Sequence, residues 1–473
     1  MKKISPLMVC LLLLLLGSGC TTPFFFPPGA DGFWYAPGYG AIVEIGHRSD
    51  LRYFEVTEVS FLEQDLPFTG LPGFYFRVVD EDHAVLGVEG TSWNYRLERI
   101  NGLPDRQIYR TATRDYRVNF EVLWHTFNER YAFFQERGVD WDAVYQDYAP
   151  RAALCTSDDE FYTLVVEVLD LFDDNHILFY RSEKDPGWYD TDAFRADWIR
   201  HEDVTKTFES LVKLQSPFSC RTAGEVFQED LWHPFLTVIK NNYLSGDYIS
   251  CCQDMIFYGT LDDTTGYIAV LKEDYYTGRR GDVPLQGLAV LNRGLDKMTA
   301  YFTGVPNIII DARFNWGGTD SYSLAMASRF TDRRDMAAYQ TAREGTSQVN
   351  YQDFFYAPDT GPGFDAENVY VLVGPASLSS GECLAMYLGN LEKVTVVGEH
   401  TMGVWSNTLI RHLPNGWEFT LSNERIYDPK GTNYEVVGYP PDVVVGFNPR
   451  GFDLGKDAVL DSTLELIAGR ASH

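Results

Sequence analysis

The sequence is short of positive charge. It has 39 lysines and arginines against 67 aspartates and glutamates, which leaves a formal net charge of -28 at pH 7. A protein that binds nucleic acid needs basic side chains to displace the counterions of the phosphates. The composition therefore disfavours nucleic acid as a partner. An acidic excess of this kind is typical of a well-solvated surface.

A metal-binding pattern is also missing. The seven cysteines contain no Cys-x-x-Cys, and the nine histidines form no paired set. We therefore expect neither a metal nor another cofactor. Removing Cys10 and Cys20, which lie at the N-terminus, leaves five of the seven cysteines. Five thiols cannot all pair with one another, so at least one stays free.

Long hydrophobic runs are absent after the first twenty residues. The run from Leu7 to Leu16 follows two lysines, is too short to span a bilayer, and ends in Gly17-Ser18-Gly19-Cys20. This arrangement resembles a bacterial lipoprotein signal. It predicts a signal peptide over 1–19, a lipid on Cys20, a tether over 20–40 and a protein anchored in the bacterial cell envelope. Ordinary secretion, with cleavage near the same point, is the alternative.

The rest of the chain is too long for one compact domain. Short alternating runs over 41–112 predict a small β domain, whose role the sequence does not indicate. Helical spacing over 113–182 predicts a helical subdomain, with Ser157 and Glu160 as a capping box. Charged and irregular residues over 183–250 are typical of an insert. Alternating strands and helices over 251–473 predict an α/β core with both sheet faces covered.

Two junctions in the α/β region carry candidate chemistry. In the first, a buried strand ends at Asp311 and runs into the Gly317-Gly318 turn, where glycine lets amide groups point at a ligand. In the second, a strand ends at Val373 and a helix begins near Ser379 and Ser380. A serine at a helix N-terminus is placed where the dipole favours developing negative charge. Taken alone, either serine is more often a simple helix cap than a nucleophile.

A nucleophilic serine needs a base. His176 follows an apolar helix and two aspartates, although a histidine at that end is often only a helix cap. His400 follows the next strand after the candidate nucleophile, and His125 lies within a helix. The residues alone leave these three open.

Taken together, the motifs resemble those of the tail-specific or C-terminal processing peptidases, a family that includes the tricorn core peptidase. The resemblance runs from about residue 116 to 465, with a gap over 183–250. It rests on these segments in order: Val139-Asp140-Trp141-Asp142, Asp174-Asn175-His176, Gly266-Tyr267-Ile268, Asp311 to Gly318, Ser379 to Glu382, Gly398 to Gly403, Leu413 to Gly416 and Gly438 to Asp442. It implies an α/β fold with a crotonase-like spiral core of β-β-α units, and polypeptides as substrates.

Relatives of this kind use either a serine and a lysine or a serine, a histidine and a glutamate. Val404 stands at the position of the lysine, and valine cannot act as a base. Lys393 lies before the strand and is expected at the surface. The resemblance therefore implies the second type. Asn175 stands where many relatives have glycine, and asparagine tolerates a left-handed backbone almost as glycine does.

The resemblance implies a triad of Ser379, His176 and Glu435. In such a triad the histidine takes the proton of the serine, and the glutamate holds the tautomer of the imidazole. The N–H of Ser380 and that of Gly317 or Gly318 would form the oxyanion site.

The sequence therefore predicts an exported, lipid-anchored serine endopeptidase of unknown oligomeric state. An inactive relative that binds peptides or apolar ligands is the main alternative. A lipase or esterase is disfavoured, because no Gly-x-Ser-x-Gly elbow surrounds Ser379.

Overall fold

The computed structural model of the protein describes residues 26–46, 50–64, 73–92, 94–104, 113–181, 232–278 and 283–470. The predicted signal peptide, Cys20 and most of the predicted insert lie outside these residues. Within them, no helix combines the length and the apolar character that a membrane crossing needs.

The N-terminal region is a seven-stranded antiparallel sheet. Its strand order is β4-β3-β2-β1-β7-β6-β5. The strands are β1 (Gly32–Ala36), β2 (Ala41–Ile45), β3 (Leu51–Val56), β4 (Phe61–Gln64), β5 (Phe74–Val78), β6 (His83–Val88) and β7 (Asn94–Ile100). Because β1 already pairs with both β2 and β7, the sheet includes residues that we expected in the tether. Trp34, at the centre of β1, is fully buried and explains why this segment is ordered.

A helical region follows and shares a hydrophobic core with the N-terminal sheet. It consists of α1 (Tyr116–Arg130), α2 (Trp141–Ala152), α3 (Asp158–Leu169) and the short β8 (Phe179–Tyr180). The predicted cap of α3 is present, since the Ser157 side chain accepts from the N–H of Glu160 at 3.3 Å. The common core joins Trp34 and Leu86 of the sheet to Phe127 and Phe161 of the helices.

The C-terminal region alternates strands and helices, as predicted. It comprises α4 (His233–Val238), β9 (Ile249–Cys251), β10 (Ile256–Asp262), β11 (Thr265–Val270), α5 (Pro284–Tyr301), β12 (Asn307–Asp311), α6 (Asp320–Ser328), β13 (Met336–Glu344), β14 (Ser347–Phe355), β15 (Asn368–Val373), α7 (Ser380–Gly389), β16 (Val394–Gly398), β17 (Thr408–His412), β18 (Glu418–Ser422), β19 (Glu424–Tyr427), β20 (Val443–Val444), α8 (Pro449–Asp453) and α9 (Ala458–Arg470).

Its main sheet has the order β20-β16-β15-β12-β11-β10-β9. Five neighbouring strands of this sheet are parallel to one another: β11, β12, β15, β16 and β20. Alternate residues of β12 enter different cores: Ile308 and Ile310 pack with α5, α6 and α7, whereas Ile309 packs with α4 and α9. Helices therefore cover both faces, and the carboxyl ends of β11, β12, β15 and β16 meet at one edge. In open α/β sheets such an edge is where ligands bind.

Two smaller sheets complete the fold. Their strand orders are β14-β13-β19 and β17-β18-β8. β17 and β18 form the hairpin that the Pro414-Asn415-Gly416 turn predicts. The pairing of β8 with β18 brings the segment after α3 against the C-terminal region. This pairing places His176, far away in the sequence, beside the edge of the main sheet.

A buried ion-pair network ties the edge of the main sheet to the C-terminal helix. Arg313, which follows β12, donates to Asp311 at 2.9 Å and to both carboxylate oxygens of Asp457 at 2.8 and 2.7 Å. Asp457 in turn accepts from the N–H groups of Val459 and Leu460, at the start of α9. The arginine of the first junction therefore acts in the fold and not in the reaction.

Candidate active site

Ser379 lies in the turn between β15 and α7. Its backbone has φ 54° and ψ -126°, which differs from the extended backbone of an ordinary helix cap. Such a conformation costs a residue other than glycine roughly 1–3 kcal/mol and persists only where its surroundings hold it. The Ser379 N–H donates to the Val404 carbonyl at 3.1 Å. The position is thus that of a helix cap, but the strained backbone points to a further role.

Glu382, one helical turn into α7, holds the Ser379 turn in place. Its buried carboxylate accepts from the backbone N–H groups of Ser379 at 3.2 Å, Gly403 at 2.7 Å and Val404 at 2.8 Å. It also accepts from the hydroxyl of Thr401 at 2.5 Å. One carboxylate therefore joins the nucleophile turn to the glycine-rich segment after β16. Val404, the residue that stands in place of a lysine, is fully buried here.

The Gly317-Gly318 turn lies directly against Ser379. A Cβ on Gly317 would meet the Cβ of Ser379 at 2.7 Å and the nitrogen of Ser380 at 2.9 Å, and its φ is 73°. A Cβ on Gly318 would meet the carbonyl oxygen of Glu273 at 2.2 Å. Side chains are excluded at both positions, so the two junctions of the sequence come together through bare backbone.

The hydrogen bonds distinguish the two glycines. The Gly317 N–H donates to the Asn315 side-chain oxygen at 3.0 Å. Among the described residues, the N–H groups of Gly318 and Ser380 have no hydrogen-bond acceptor. These two amides are therefore available to a ligand. The geometry favours Gly318 over Gly317 as the second oxyanion donor.

Glu273, which follows β11, contacts residues on both sides of the Gly317-Gly318 turn. No motif in the sequence indicates it as a site residue. It is fully buried, and its carboxylate accepts from the Asn315 amide at 2.7 Å and from the Ser323 hydroxyl. The same hydroxyl contacts the Ser380 carbonyl at 2.9 Å. Burial raises the pKa of Glu273 to about 8, although both hydrogen bonds lower it. Glu273 thus links the two halves of the candidate oxyanion site.

His176 is fixed through its backbone. Its N–H donates to Asp174 Oδ1 at 2.9 Å, and its carbonyl accepts from Thr420 Oγ1 at 2.6 Å. Burial lowers the pKa of the imidazole below its ordinary value, and Arg137 lowers it further, whereas Asp174 raises it. The buried Nδ1 atom has no hydrogen-bond partner. In the described part of the chain no hydrogen bond joins His176 to Ser379 or to Glu435.

Glu435 is buried and pairs with Arg137, a residue that belongs to none of the sequence motifs. One carboxylate oxygen accepts from Arg137 Nη2 at 2.9 Å, and the other from the N–H groups of Trp405 and Ser406 at 2.8 and 3.2 Å. Arg137 Nε lies 3.6 Å from Asp174 Oδ2. Burial raises the pKa of Glu435 to about 7, against the effect of Arg137. Arg137 therefore bridges the glutamate and the turn that carries His176.

The left-handed residue of that turn is Asp173, with φ 47°, and not Asn175. The Asn175 amide instead contacts Met402 Sδ at 3.3 Å. Since Met402 donates its N–H to the Ser377 carbonyl at 3.0 Å, this contact links the histidine turn to the nucleophile turn. Asparagine at position 175 is therefore explained by its side chain and not by its backbone.

The rival bases lie elsewhere. His125 lies between Glu121 and Glu129 on α1, with closest nitrogen–oxygen distances of 3.8 and 4.0 Å. His400 is exposed, and its Nδ1 lies 3.1 Å from the Val437 carbonyl. Lys393 donates to the Ala366 carbonyl at 3.0 Å. A cavity of about 260 Å³ is lined by Ser379, Gly318 and His176, and by no other histidine among the described residues.

Comparisons with known proteins show which segments of the chain resemble known families. Residues 281–445 match the profile of peptidase family S41, and residues 112–170 match the tricorn protease C1 domain. Over residues 281–445 the chain is therefore similar to peptidase family S41. The S41 match contains both glycine and serine turns, whereas the C1 match ends shortly before His176. The likeness thus covers the segments of the two turns and of Glu435, but not that of His176.

Two curated relatives and one solved structure show the extent of the likeness. A carboxy-terminal-processing protease from Bartonella bacilliformis is 25% identical over 150 residues, which is 32% of each chain. A chloroplastic C-terminal processing peptidase from Tetradesmus obliquus is 26% identical over 140 residues, 30% of this chain and 29% of the relative. The matches thus span about a third of these relatives. A candidate peptidase from Parabacteroides merdae has a TM-score of 0.56 at 25% identity, covering 75% of this chain and 97% of that one.

Proposed function

We propose that the protein is an exported serine endopeptidase that hydrolyses peptide bonds in polypeptides, with Ser379 as nucleophile and His176 as general base. The observation that carries this proposal is the strained backbone of Ser379 beside two free amides, in a cavity that His176 also lines. A serine hydroxyl, an imidazole and two free N–H groups are the parts that acyl transfer requires.

The reaction follows from these positions. The hydroxyl oxygen of Ser379 attacks the substrate carbonyl carbon while His176 takes the hydroxyl proton, and the same proton then passes to the leaving amine. The N–H groups of Ser380 and Gly318 stabilise the tetrahedral oxyanion, each by about 3 kcal/mol. Water then hydrolyses the acyl-enzyme by the same steps, which releases the product acid and restores Ser379.

Glu435 completes the proposed triad by stabilising the imidazolium that forms at His176. The unpartnered Nδ1 of His176 supports this role, because a carboxylate acceptor there would fix the tautomer that leaves Nε2 free to take the proton. Catalytic hydrogen bonds are often loose in the absence of substrate. Arg137 keeps Glu435 close to the histidine turn until substrate binds.

The lipid anchor is a separate part of the proposal. The positive start, the short apolar run and Cys20 support export and lipidation in a bacterial cell envelope. Expression with a labelled fatty acid should mark the wild type and not Cys20→Ala, and equal labelling of both would contradict the anchor. We also propose that the core is a crotonase-like spiral, which the β-β-α succession of β10, β11 and α5 supports.

The test of the catalytic assignment is cleavage of an unfolded polypeptide by purified protein, with a fluorophosphonate probe in parallel. We expect Ser379→Ala to lose at least a thousandfold in rate, because the nucleophile is gone, and to lose labelling completely. Ser347→Ala is the matched control, since Ser347 is exposed on β14. Equal cleavage by wild type and Ser379→Ala would exclude Ser379 as the nucleophile. A wild type that neither cleaves nor reacts with the probe would favour the inactive binding protein.

A further inference from the structure

The cavity at Ser379 has one wall that does not come from the peptidase core. This wall is the inner face of the N-terminal sheet, which we define by the strand residues of that sheet that line the cavity: Ala36, Ala41, Val43, Tyr53, Leu86, Tyr95 and Leu97. These side chains come from β1, β2, β3, β6 and β7. The opposite wall carries Ser379, Gly318 and His176. The N-terminal sheet therefore encloses the space into which a substrate side chain beside the scissile bond would extend.

The sheet is held firmly in this position. The Tyr39 hydroxyl donates to Glu424, and the Gly38 N–H donates to Glu344 at 2.6 Å. At another point Glu55 accepts from the His412 N–H at 2.9 Å, and its carboxylate lies 2.9 Å from His412 Nδ1. A Cβ on Gly38 would lie 2.5 Å from the Ala342 Cβ, which shows how closely the two regions pack. The wall is therefore preformed and does not need substrate to order it.

The size of the cavity limits its occupant. Its volume is about 260 Å³, below the roughly 300–1,000 Å³ of sites for drug-sized ligands. A space of this size suits one large side chain. The shape of the cavity, and not a large number of contacts, would then distinguish one substrate side chain from another.

The acidic groups of the cavity form hydrogen bonds within its walls. Glu424 accepts from Tyr39 and from Asn407 Nδ2 at 2.6 Å, and Asp320 accepts from the Ser380 hydroxyl. Burial raises the pKa of both acids. Arg411 is 4% exposed and donates through Nη1 to the Ile410 carbonyl at 2.6 Å, while its buried Nη2 has no hydrogen-bond partner within the part of the chain that the structure describes. Since acids and a base occur together, the cavity favours neither a basic nor an acidic occupant, and apolar and aromatic groups form much of its surface.

We propose that the inner face of the N-terminal sheet forms the specificity pocket of the enzyme, and that the pocket selects a large apolar side chain, such as Leu or Phe, next to the scissile bond. This inference rests on the proposed function, and it gives the N-terminal sheet a role that its sequence pattern does not indicate. The burial of apolar area by the substrate side chain supplies the selectivity.

The test uses quenched peptides that differ only in the residue before the scissile bond: Ala, Leu, Phe, Lys or Glu. We expect the full-length enzyme to cleave the Leu and Phe peptides with kcat/KM at least tenfold above that of the Ala, Lys and Glu peptides. Val43→Phe fills the cavity and should reduce the Phe-to-Ala ratio at least tenfold. Val85→Phe is the matched control, because the neighbouring side chain of Leu86 faces the cavity and Val85 faces away; its ratio should stay within twofold.

The ratio of two substrates measured on one sample does not depend on the fraction of folded enzyme. If Val43→Phe does not accumulate, Leu86→Ala serves instead. It widens the pocket and should raise the rate for a Trp peptide relative to the Leu peptide at least fivefold. A preference for the Lys or Glu peptide, or ratios that neither variant changes, would overturn the proposed specificity pocket. The proposed peptidase activity would still stand in that case if the enzyme cleaves unfolded polypeptide. A lack of cleavage of every substrate overturns both.

Discussion

The two halves of the candidate site differ in how completely their polar groups are satisfied. On the nucleophile side, Glu382 and Glu273 accept hydrogen bonds from the turns that carry Ser379 and Gly317, and the amides of Ser380 and Gly318 are left open. On the histidine side, the backbone of His176 is fixed, but the Nδ1 atom of its imidazole has no partner.

The difference shows which half is ready before substrate arrives. An oxyanion site is effective only when its donors are fixed in advance, since reorganisation during the reaction would cost free energy. A general base needs its final hydrogen bonds only when the proton moves, and these often tighten with substrate present. We therefore expect changes on the nucleophile side to act on folding and kcat, and changes on the histidine side to act on the pH profile.

Glu382→Ala should have the largest effect. It removes one carboxylate and leaves the N–H groups of Gly403 and Val404 and the Thr401 hydroxyl without their acceptor in a buried place, whereas the Ser379 N–H keeps the Val404 carbonyl. Each buried donor left without its acceptor costs about 1–3 kcal/mol, so we expect the free energy of unfolding to fall by roughly 3 kcal/mol or more. Urea denaturation followed by tryptophan fluorescence measures the change in the free energy of unfolding.

The control for this variant is Glu367→Ala, because Glu367 is exposed and a substitution of that kind changes stability by about 0.5 kcal/mol or less. A loss below about 1 kcal/mol for Glu382→Ala would mean that water can replace the carboxylate. The turn that carries Ser379 would then not be held in place before substrate binds, and the two sides of the candidate site would not differ in this respect.

Asn315→Ala should have the next largest effect, and on catalysis. It removes the acceptor of the Gly317 N–H and a donor to Glu273, so the Gly318 amide is no longer held in place. We expect kcat to fall about 10- to 100-fold with KM within about threefold, because the oxyanion forms only after binding. Asn242→Ala, at an exposed site remote from the cavity, is the control. A rise in KM at unchanged kcat would instead assign Asn315 to substrate binding.

The strands and helices beside the active edge were readable from the sequence because each has a local cause. Unbroken apolar runs produced β12 and β15, and the glycine and serine turns followed them. The sequence could not show that β1 starts at Gly32, because the prolines and glycines around it also suit a tether. The long hairpin of β13 and β14 carries polar side chains on its outer strand, so its apolar pattern is weak.

The site was predictable in part, and the limit has a physical reason. Ser379, His176 and Gly318 line one cavity, and their motifs are local in sequence. Arg137 and Glu273 were missed because their roles depend on contacts with residues 298 and 42 positions away. The sequence signal available for such residues is a charged residue close to an apolar run. Arg137, which follows the aromatic run before α2, fits that description.

Asp174→Asn should move the pH profile without removing a reacting group. The negative charge of Asp174 raises the pKa of His176, while burial and Arg137 lower it. Without that charge the imidazole loses its proton more readily, so the acid limb of kcat/KM moves to lower pH. In the wild type we already expect the limb below the ordinary histidine pKa of about 6.5, because burial lowers the pKa of His176. Profiles from pH 4 to 8 measure the shift, and Asp173→Asn is the control. An unchanged limb, or one at higher pH, would indicate that another group is the base.

Asp173→Gly should have the smallest effect and tests whether the histidine turn is strained. Asp173 has φ 47° and ψ 46°, a left-handed conformation that costs an L-residue on the order of 1 kcal/mol and glycine almost nothing. Because its contact with Arg137 is made through the backbone carbonyl, the glycine variant keeps that contact. We expect the free energy of unfolding to rise by about 0.5 kcal/mol and kcat to stay unchanged. Asp173→Ala should be less stable than wild type in the same denaturation experiment, since alanine pays the left-handed cost without a polar side chain to offset it. If Asp173→Gly is instead less stable than the wild type, the aspartate side chain holds the turn. The histidine side is then more completely fixed than the unpartnered Nδ1 of His176 implies.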